Sequence, residues 1–319
     1  DGKVKYVELT PETRAPYESK TTPESEYKRV VGSSADKGKE NLAEKYRRSL
    51  GQRLKTTAGN VKNMANNAVD MVVGRPISSM YNWQTERFLK KKPDTKHDIW
   101  YTEHGSAQGK HNQWRLMREG RKQGKLMYGL NTKHSKGPEY TTNHSFDQIY
   151  GLHRKTGLKN PEKRHDKYMG HSSGANTGLY MATDPRIKGT GIKEVHGVAA
   201  TPHGIAMDTV ERKLMGLVTN VNHDRKDKAE GQKAAAKLYK RGQPFVDVYM
   251  STGKADGLVR PEDINYKHAK GAKVIDHKDS THFGTSGSNS SINKILVDMM
   301  ANPEKHYKPM ESYTKEKAA

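Results

Sequence analysis

Residues 170–174, with the sequence GHSSG, carry the residue types of a reactive serine on a sharp turn. They match the pattern G-x-S-x-G, follow a strand predicted over 164–169 and precede a helix predicted over 174–183. Such a turn needs small neighbours, because its backbone leaves no room for side chains. It exposes the hydroxyl of Ser172, while the helix N-terminus offers N–H groups to an oxyanion. An ordinary glycine-rich turn fits the same residues, so the motif alone is a weak indication.

Three further groups with suitable chemistry lie at the ends of other predicted strands. His104, in the sequence His-Gly-Ser-Ala over 104–107, follows the first strand and lies 68 residues before Ser172. Asp256 follows the strand predicted over 245–250, at a place that suits a triad carboxylate. His282 follows the strand predicted over 272–276, so the chain order is Ser, Asp, His.

In this combination the sequence resembles the α/β-hydrolase superfamily, particularly its lipase and esterase branch, over about residues 95–302. A Thr-Pro-His-Gly segment at 201–204, directly after a predicted strand, is similar to bacterial-type lipases. The resemblance implies that Ser172 is the nucleophile, that His282 is the general base, and that Asp256 orients the imidazole. It also implies an oxyanion hole and a supporting motif. The implied oxyanion N–H groups belong to Ser173 and to Ser106 or Ala107, and the supporting residues are His104, Gly105, Gly170, His171 and Gly174.

Each implied role has a rival residue in the sequence. Ser173 is a neighbouring hydroxyl, but only Ser172 is central between the two glycines. Asp276 and Asp279 are alternative acids, and His277 is the nearest alternative base. The family pattern favours Asp256 and His282 over them. No metal site is predicted, because the sequence has no H-E-x-x-H motif and its histidines do not cluster at ligand spacings. The triad chemistry requires no cofactor.

The elements that must position these residues alternate between short apolar stretches and longer helical ones. This rhythm predicts an α/β domain, a mostly parallel sheet flanked by helices, over 96–302. The strands are unusually polar: Lys167 and Tyr168 occupy places where a buried strand normally has Val, Ile or Leu. The predicted strands are 98–103, 125–130, 164–169, 194–199, 245–250 and 272–276, and the predicted helices include 112–123, 145–157, 174–183 and 292–300.

The flanking segments have different compositions. Residues 1–40 have few aliphatic side chains and predict an extended or disordered leader. Residues 41–95 form a basic, helical extension, with an amphipathic stripe over 42–72 and an expected helix end at Gly74 and Pro76. That stripe fits either anionic lipid or packing on the domain or a partner, and packing was the favoured interpretation. Residues 205–243 fit a cap or a plain crossover, and residues 303–319 a polar tail.

The formal charge of +21 suggests an anionic partner. Its distribution argues against nucleic acid as the main one, because residues 1–40 are net neutral and the excess is spread over the rest of the chain. Cysteine is absent, which excludes disulfides, cysteine zinc ligands and a cysteine nucleophile. No apolar run approaches the roughly 20 residues of a membrane span, and no signal peptide is visible.

Two functions from different classes remain open on the sequence alone. The first is a serine hydrolase that cleaves carboxylic esters, with lipid-like esters as the expected substrates and an anionic membrane surface as a further expected partner. The second is a catalytically silent hydrolase-fold protein that uses its basic surface to bind an anionic partner.

Overall fold

The computed structural model describes residues 50–105, 108–132, 134, 138–200, 238, 241–256, 259, 266, 268–287 and 290–309, with the side chains of 50–69 and 290 excepted. A seven-stranded sheet has the order β2-β1-β3-β4-β5-β6-β7, in which β1 to β6 are parallel and β7 is antiparallel. The strands are β1 Ile99–Glu103, β2 Leu126–Leu130, β3 Asp166–His171, β4 Ile192–Val198, β5 Asp247–Gly253, β6 Gly271–Ile275 and β7 Lys308–Pro309.

Helices occupy most of the connections between these strands, as parallel neighbours require. Every predicted strand is present, with each boundary shifted by at most three residues. The short helix α6 and β7 lie in the segment expected to be a polar tail, and β7 pairs with β6. The helices are α1 Leu50–Lys91, α2 Trp114–Lys122, α3 Pro138–Thr156, α4 Ser173–Ala182, α5 Ser290–Ala301 and α6 Pro303–His306, with short 3₁₀ turns at Lys110–Gln113, Pro161–Lys163 and Pro185–Thr190.

The polar residue Lys167 on the strand β3 has polar partners, so its charge is not buried against apolar side chains alone. Lys167 on β3 is in register with Glu194 on β4, and their side chains form an ion pair of 2.9 Å. Lys167 also donates a hydrogen bond of 2.7 Å to the carbonyl oxygen of Met300 at the end of α5. A buried charge is tolerated only when such partners compensate its lost hydration. The ladder can therefore carry lysine where a hydrophobic residue was expected.

Helix α1 differs most from the sequence-based expectation. The predicted helix end at Gly74 and Pro76 is wrong, because α1 continues through both residues to Lys91. Gly74 packs under the indole of Trp114, where an added Cβ would come within 2.4 Å of the ring. Pro76 lies on the exposed side of the helix. Proline has no N–H to donate to the carbonyl oxygen four residues earlier, and water can hydrogen bond to that oxygen instead. Packing against Trp114 thus compensates for the low helix propensity of Gly74, and access to water lowers the cost of Pro76.

The inner face of α1 attaches to β2 through polar groups. The side chain of Asn82 donates to the carbonyl oxygen of Gly129 at 2.9 Å and accepts from its N–H at 2.8 Å. Thr85 donates to the carbonyl oxygen of Met127 at 2.8 Å. Nearer the start of this face, buried Asp70 accepts from the Trp114 indole at 2.8 Å and pairs with Arg115 at 2.6 Å. Residues 41–49 and the side chains of 50–69 lie outside the description, so Val72 is the one described side chain of the predicted stripe, and it is exposed rather than packed on the domain.

The domain core is built from large side chains of both layers. Trp100, Tyr101 and Tyr168 on the central strands are fully buried, and they pack with Phe146 of α3. Aromatic and methionine side chains thus supply much of the buried area in a chain whose hydrophobic fraction is 32%. In the described part of the chain, no helix is long and apolar enough to cross a membrane.

Candidate active site

Ser172 lies on a strained turn between β3 and α4. Its backbone has φ 54° and ψ −117°, a combination that non-glycine residues rarely adopt. Both glycines of the motif are required by close approaches: a Cβ on Gly170 would lie 2.2 Å from the carbonyl oxygen of Gly174, and one on Gly174 would lie 2.5 Å from that of His104. The turn therefore holds Ser172 at the carboxyl end of the sheet, partly exposed, at the head of a helix.

The structure brings Ser172, His282 and Asp256 into one hydrogen-bonded chain. The Nε2 atom of His282 is 3.0 Å from Ser172 Oγ, and its Nδ1 atom is 3.0 Å from Asp256 Oδ2. In a neutral imidazole that carries its proton on Nδ1, Nδ1 donates to the carboxylate and Nε2 accepts from the hydroxyl. In this geometry an imidazole can remove the hydroxyl proton of a serine while the serine oxygen attacks a substrate as the nucleophile.

Asp256 is held by its own loop. It is 1% exposed, and its second oxygen, Oδ1, accepts a hydrogen bond of 2.9 Å from the N–H of Val259. The loop can approach the histidine loop closely because β5 ends in glycine. A Cβ on Gly253 would lie 1.7 Å from the carbonyl oxygen of Ser280, so no other residue fits there without moving one loop.

His282 is positioned by contacts to its backbone as well as its ring. Its carbonyl oxygen lies 2.8 Å from Nε2 of His171 and accepts a hydrogen bond of 2.9 Å from the Thr285 hydroxyl. Since a carbonyl can only accept, the His171 proton is on Nε2. Burial lowers the pKa of His171 to about 3, so its ring is neutral beside His282. The residue before Ser172 in the motif therefore connects the serine turn to the histidine loop.

The rival residues make other contacts. Asp276 is exposed and pairs with Lys254 at 3.0 Å. Asp279 has an oxygen 3.5 Å from the Ser291 hydroxyl, and its N–H donates to Nδ1 of His277 at 3.1 Å. Of these groups and His282, it is His282 that lies within hydrogen-bonding distance of Ser172 in the described part of the chain.

The expected oxyanion loop is only partly described. Ser106 and Ala107 lie outside the described residues, as do 201–204 and most of the predicted cap. Gly105 lies against the serine turn, where an added Cβ would be 3.0 Å from Ser172 Cβ. His104 is buried, and its Nδ1 is 2.8 Å from the carbonyl oxygen of Gly105. Ser173 is the first residue of α4, at a helix terminus that favours negative charge.

A buried carboxyl group supports this end of the site, and sequence reasoning missed it. Glu103, the last residue of β1, accepts hydrogen bonds from Thr132 at 2.6 Å and Ser145 at 2.7 Å. The Tyr168 hydroxyl oxygen is 2.8 Å from Glu103 and 2.7 Å from the carbonyl oxygen of Gly174. An acid at the end of a buried strand, directly before His104, was the available sequence signal.

Glu103 is suited to hold a proton near neutral pH. Burial raises its pKa to about 7, although four hydroxyl groups, the three named above and that of Thr177, act in the opposite direction. The Tyr168 hydroxyl has one proton and two adjacent acceptors. A protonated Glu103 resolves this, because it can donate to Tyr168 while Tyr168 donates to Gly174.

Replacing Glu103 with glutamine is therefore expected to remove a pH dependence of folding. The folded pKa of about 7 exceeds the unfolded value of 4.5, so the folded state binds more protons and its stability falls as pH rises through this window. Between pH 5 and 8, the wild type should lose about 2 to 3 kcal/mol of unfolding free energy relative to Glu103→Gln. Urea unfolding of both proteins at each pH measures the difference. A constant difference across this range would contradict the protonated state.

Comparison with known proteins gives matches among solved structures alone. No family model matches the chain, and no curated protein matches it. A soluble variant of monoglyceride lipase from Saccharomyces cerevisiae is 14% identical, with a TM-score of 0.47, covering 68% of this chain and 90% of that one. An esterase from Pyrobaculum calidifontis is 13% identical, with a TM-score of 0.46, covering 64% and 76%. Naproxen esterase from Bacillus subtilis is 9% identical, with a TM-score of 0.43, covering 65% and 84%.

The architecture of the chain itself identifies its fold. Helices connect the first four of the six parallel strands along the chain, and the strained serine turn joins β3 to α4 at the carboxyl end of the sheet. The acid and the histidine follow in the order Ser, Asp, His after later strands. The chain thus has the α/β-hydrolase fold that its sequence predicts.

Proposed function

We propose that this protein is a serine hydrolase that cleaves carboxylic esters through an acyl-enzyme. The observation that carries the proposal is the hydrogen-bonded chain from Asp256 through His282 to Ser172, with Ser172 on a strained turn. A structural role gives no reason to hold a serine at φ 54° beside a buried imidazole. The alternative, a catalytically silent hydrolase-fold protein, predicts no reactivity at this serine.

The proposed reaction has two steps that use the same three side chains. In the first, Ser172 Oγ attacks the acyl carbon while His282 Nε2 takes the hydroxyl proton, and the imidazolium then gives that proton to the departing alkoxide. In the second, a water loses its proton to His282 and attacks the acyl-enzyme, which releases the carboxylic acid and restores Ser172. Asp256 stabilises the imidazolium in both steps.

The oxyanion of each tetrahedral intermediate is assigned to backbone donors. The N–H of Ser173, at the start of α4, is one proposed donor, and an N–H of Ser106 or Ala107 is the second. No metal or cofactor takes part in this proposal. A lipid-like acyl ester is the substrate class that we propose from the resemblance to lipases and esterases.

A fluorophosphonate probe tests the proposal directly, because it phosphonylates a serine only when a triad activates it. We expect stoichiometric labelling of the full chain, with the adduct on the peptide that contains Ser172 when the digest is examined by mass spectrometry. Heat-unfolded protein should not be labelled. Folded protein that remains unlabelled, or labelled at another serine, would support the silent alternative.

A further inference from the structure

The outward face of α1 carries large apolar side chains that make no use of the domain core. Met71, Val72, Val73, Met80 and Trp83 are 58%, 77%, 43%, 43% and 54% exposed. Val72, Met80 and Trp83 lie on one side of the helix by their spacing of eight and three residues. Five of the seven large hydrophobic side chains that are exposed in the described part of the chain belong to this one helix. An apolar patch of this kind marks a binding surface.

The charges beside this face are positive. Arg75, Arg87, Lys90 and Lys91 are exposed along the same helix. The two acidic residues of residues 70–91 are already engaged, Asp70 by Arg115 and Glu86 by Lys155 at 2.6 Å. The guanidinium of Arg87 lies 5.2 Å from the centre of the Trp83 ring, so apolar and cationic groups are adjacent.

The direction of α1 places this surface near the active-site end of the domain. Asn82 contacts Gly129 and Thr85 contacts Met127, so α1 runs antiparallel to β2. Lower residue numbers in α1 therefore lie nearer the carboxyl end of the sheet, which is where Ser172 lies. At a rise of 1.5 Å per residue, Val72 is about 15 Å beyond Asn82 in that direction.

We propose that this surface, the α1 outer face, binds the surface of an anionic lipid bilayer. Apolar side chains on one face, a tryptophan, and flanking lysine and arginine residues are the features of helices that lie in the lipid interface. A second copy of the chain is disfavoured, because its own α1 outer face would bring the same positive charges together. The leader over residues 1–40 is net neutral with few aliphatic residues, so it offers no net negative charge and little apolar area.

The binding experiment uses the full chain with Ser172→Ala, so that it is independent of any hydrolysis. The protein is mixed with vesicles of phosphatidylcholine alone or with phosphatidylglycerol added, and the bound fraction is measured by sedimentation. We expect binding to the anionic vesicles, a loss of binding in high salt, and weak binding to phosphatidylcholine alone. Tryptophan fluorescence reports contact with the lipid through Trp83, because the other two tryptophans, Trp100 and Trp114, are only 0% and 9% exposed. On binding, the emission of Trp83 should move to shorter wavelength.

The variant Val72→Asp with Met80→Asp should reduce the vesicle partition coefficient at least about tenfold. Both side chains are exposed, so the fold should remain intact, and circular dichroism checks this. Tyr140→Asp is the matched control, since Tyr140 is 39% exposed on α3, and it should bind as the parent does. Equal binding by the double variant, or no binding to anionic vesicles, would overturn the proposal. The proposal would also be overturned if the parent protein were a dimer in solution and the double variant were a monomer.

Discussion

Ser172→Ala is expected to lower kcat for aryl ester hydrolysis by about 10⁵-fold or more, while the protein remains folded. The substitution removes Oγ, the atom proposed to form the acyl-enzyme, which lies 3.0 Å from Nε2 of His282 in the wild type. The loss should be in kcat rather than KM, because substrate binding does not need the hydroxyl. Alanine has no better access to φ 54° than serine, so thermal stability should change little.

The same experiment has an internal test of mechanism. His282→Ala should cost about as much as Ser172→Ala, and the double variant should be no worse than either, because the two groups act as a unit. Ser291→Ala and His277→Ala are the controls: Ser291 is exposed on α5, and His277 bonds to the N–H of Asp279. Activity that survives in Ser172→Ala but falls in a control would remove Ser172 as nucleophile.

Asp256→Asn is expected to reduce kcat by about 10⁴-fold with little change in structure. Asparagine fits the same space, but its amide can donate to Nδ1 of His282 and so favour the proton on Nε2. An imidazole protonated on Nε2 donates to Ser172 and cannot remove its proton. The variant should also label slowly with fluorophosphonate, since labelling needs the same proton transfer.

The acids that the sequence left as alternatives provide matched controls. Asp276→Asn and Asp279→Asn make the same chemical change at positions whose contacts are to Lys254 and Ser291. Both variants should retain wild-type kcat and labelling rate. If Asp279→Asn matched the loss expected for Asp256→Asn, the assignment of the orienting acid would be wrong.

The sequence predicted the strands well because local signals and tertiary requirements agree there. Each short apolar stretch between helical segments became a strand of the parallel sheet, and polar Lys167 did not prevent this because it pairs with Glu194. The agreement failed at Gly74 and Pro76 of α1. Local propensity indicated a helix end, whereas packing of Gly74 under Trp114 requires that the helix continue.

The site was predictable to the level of residue order but not of contacts. The placement of Ser172, Asp256 and His282 after three different strands followed from the sequence, and parallel strands bring their carboxyl ends together. The role of Glu103 did not follow, because it depends on hydroxyl groups from three other elements meeting at one carboxyl group. Such convergence appears only when the elements are packed.

The attachment of α1 to β2 has a consequence for where the α/β domain begins. β2 is an edge strand of the sheet, and the Asn82 amide takes the hydrogen-bonding place at Gly129 that a further strand would fill. A shortened chain that begins at residue 96 would leave that edge uncovered, which is the arrangement that promotes strand addition and aggregation. We therefore expect the helical extension to be an integral protective element, and we propose that the domain boundary lies before α1.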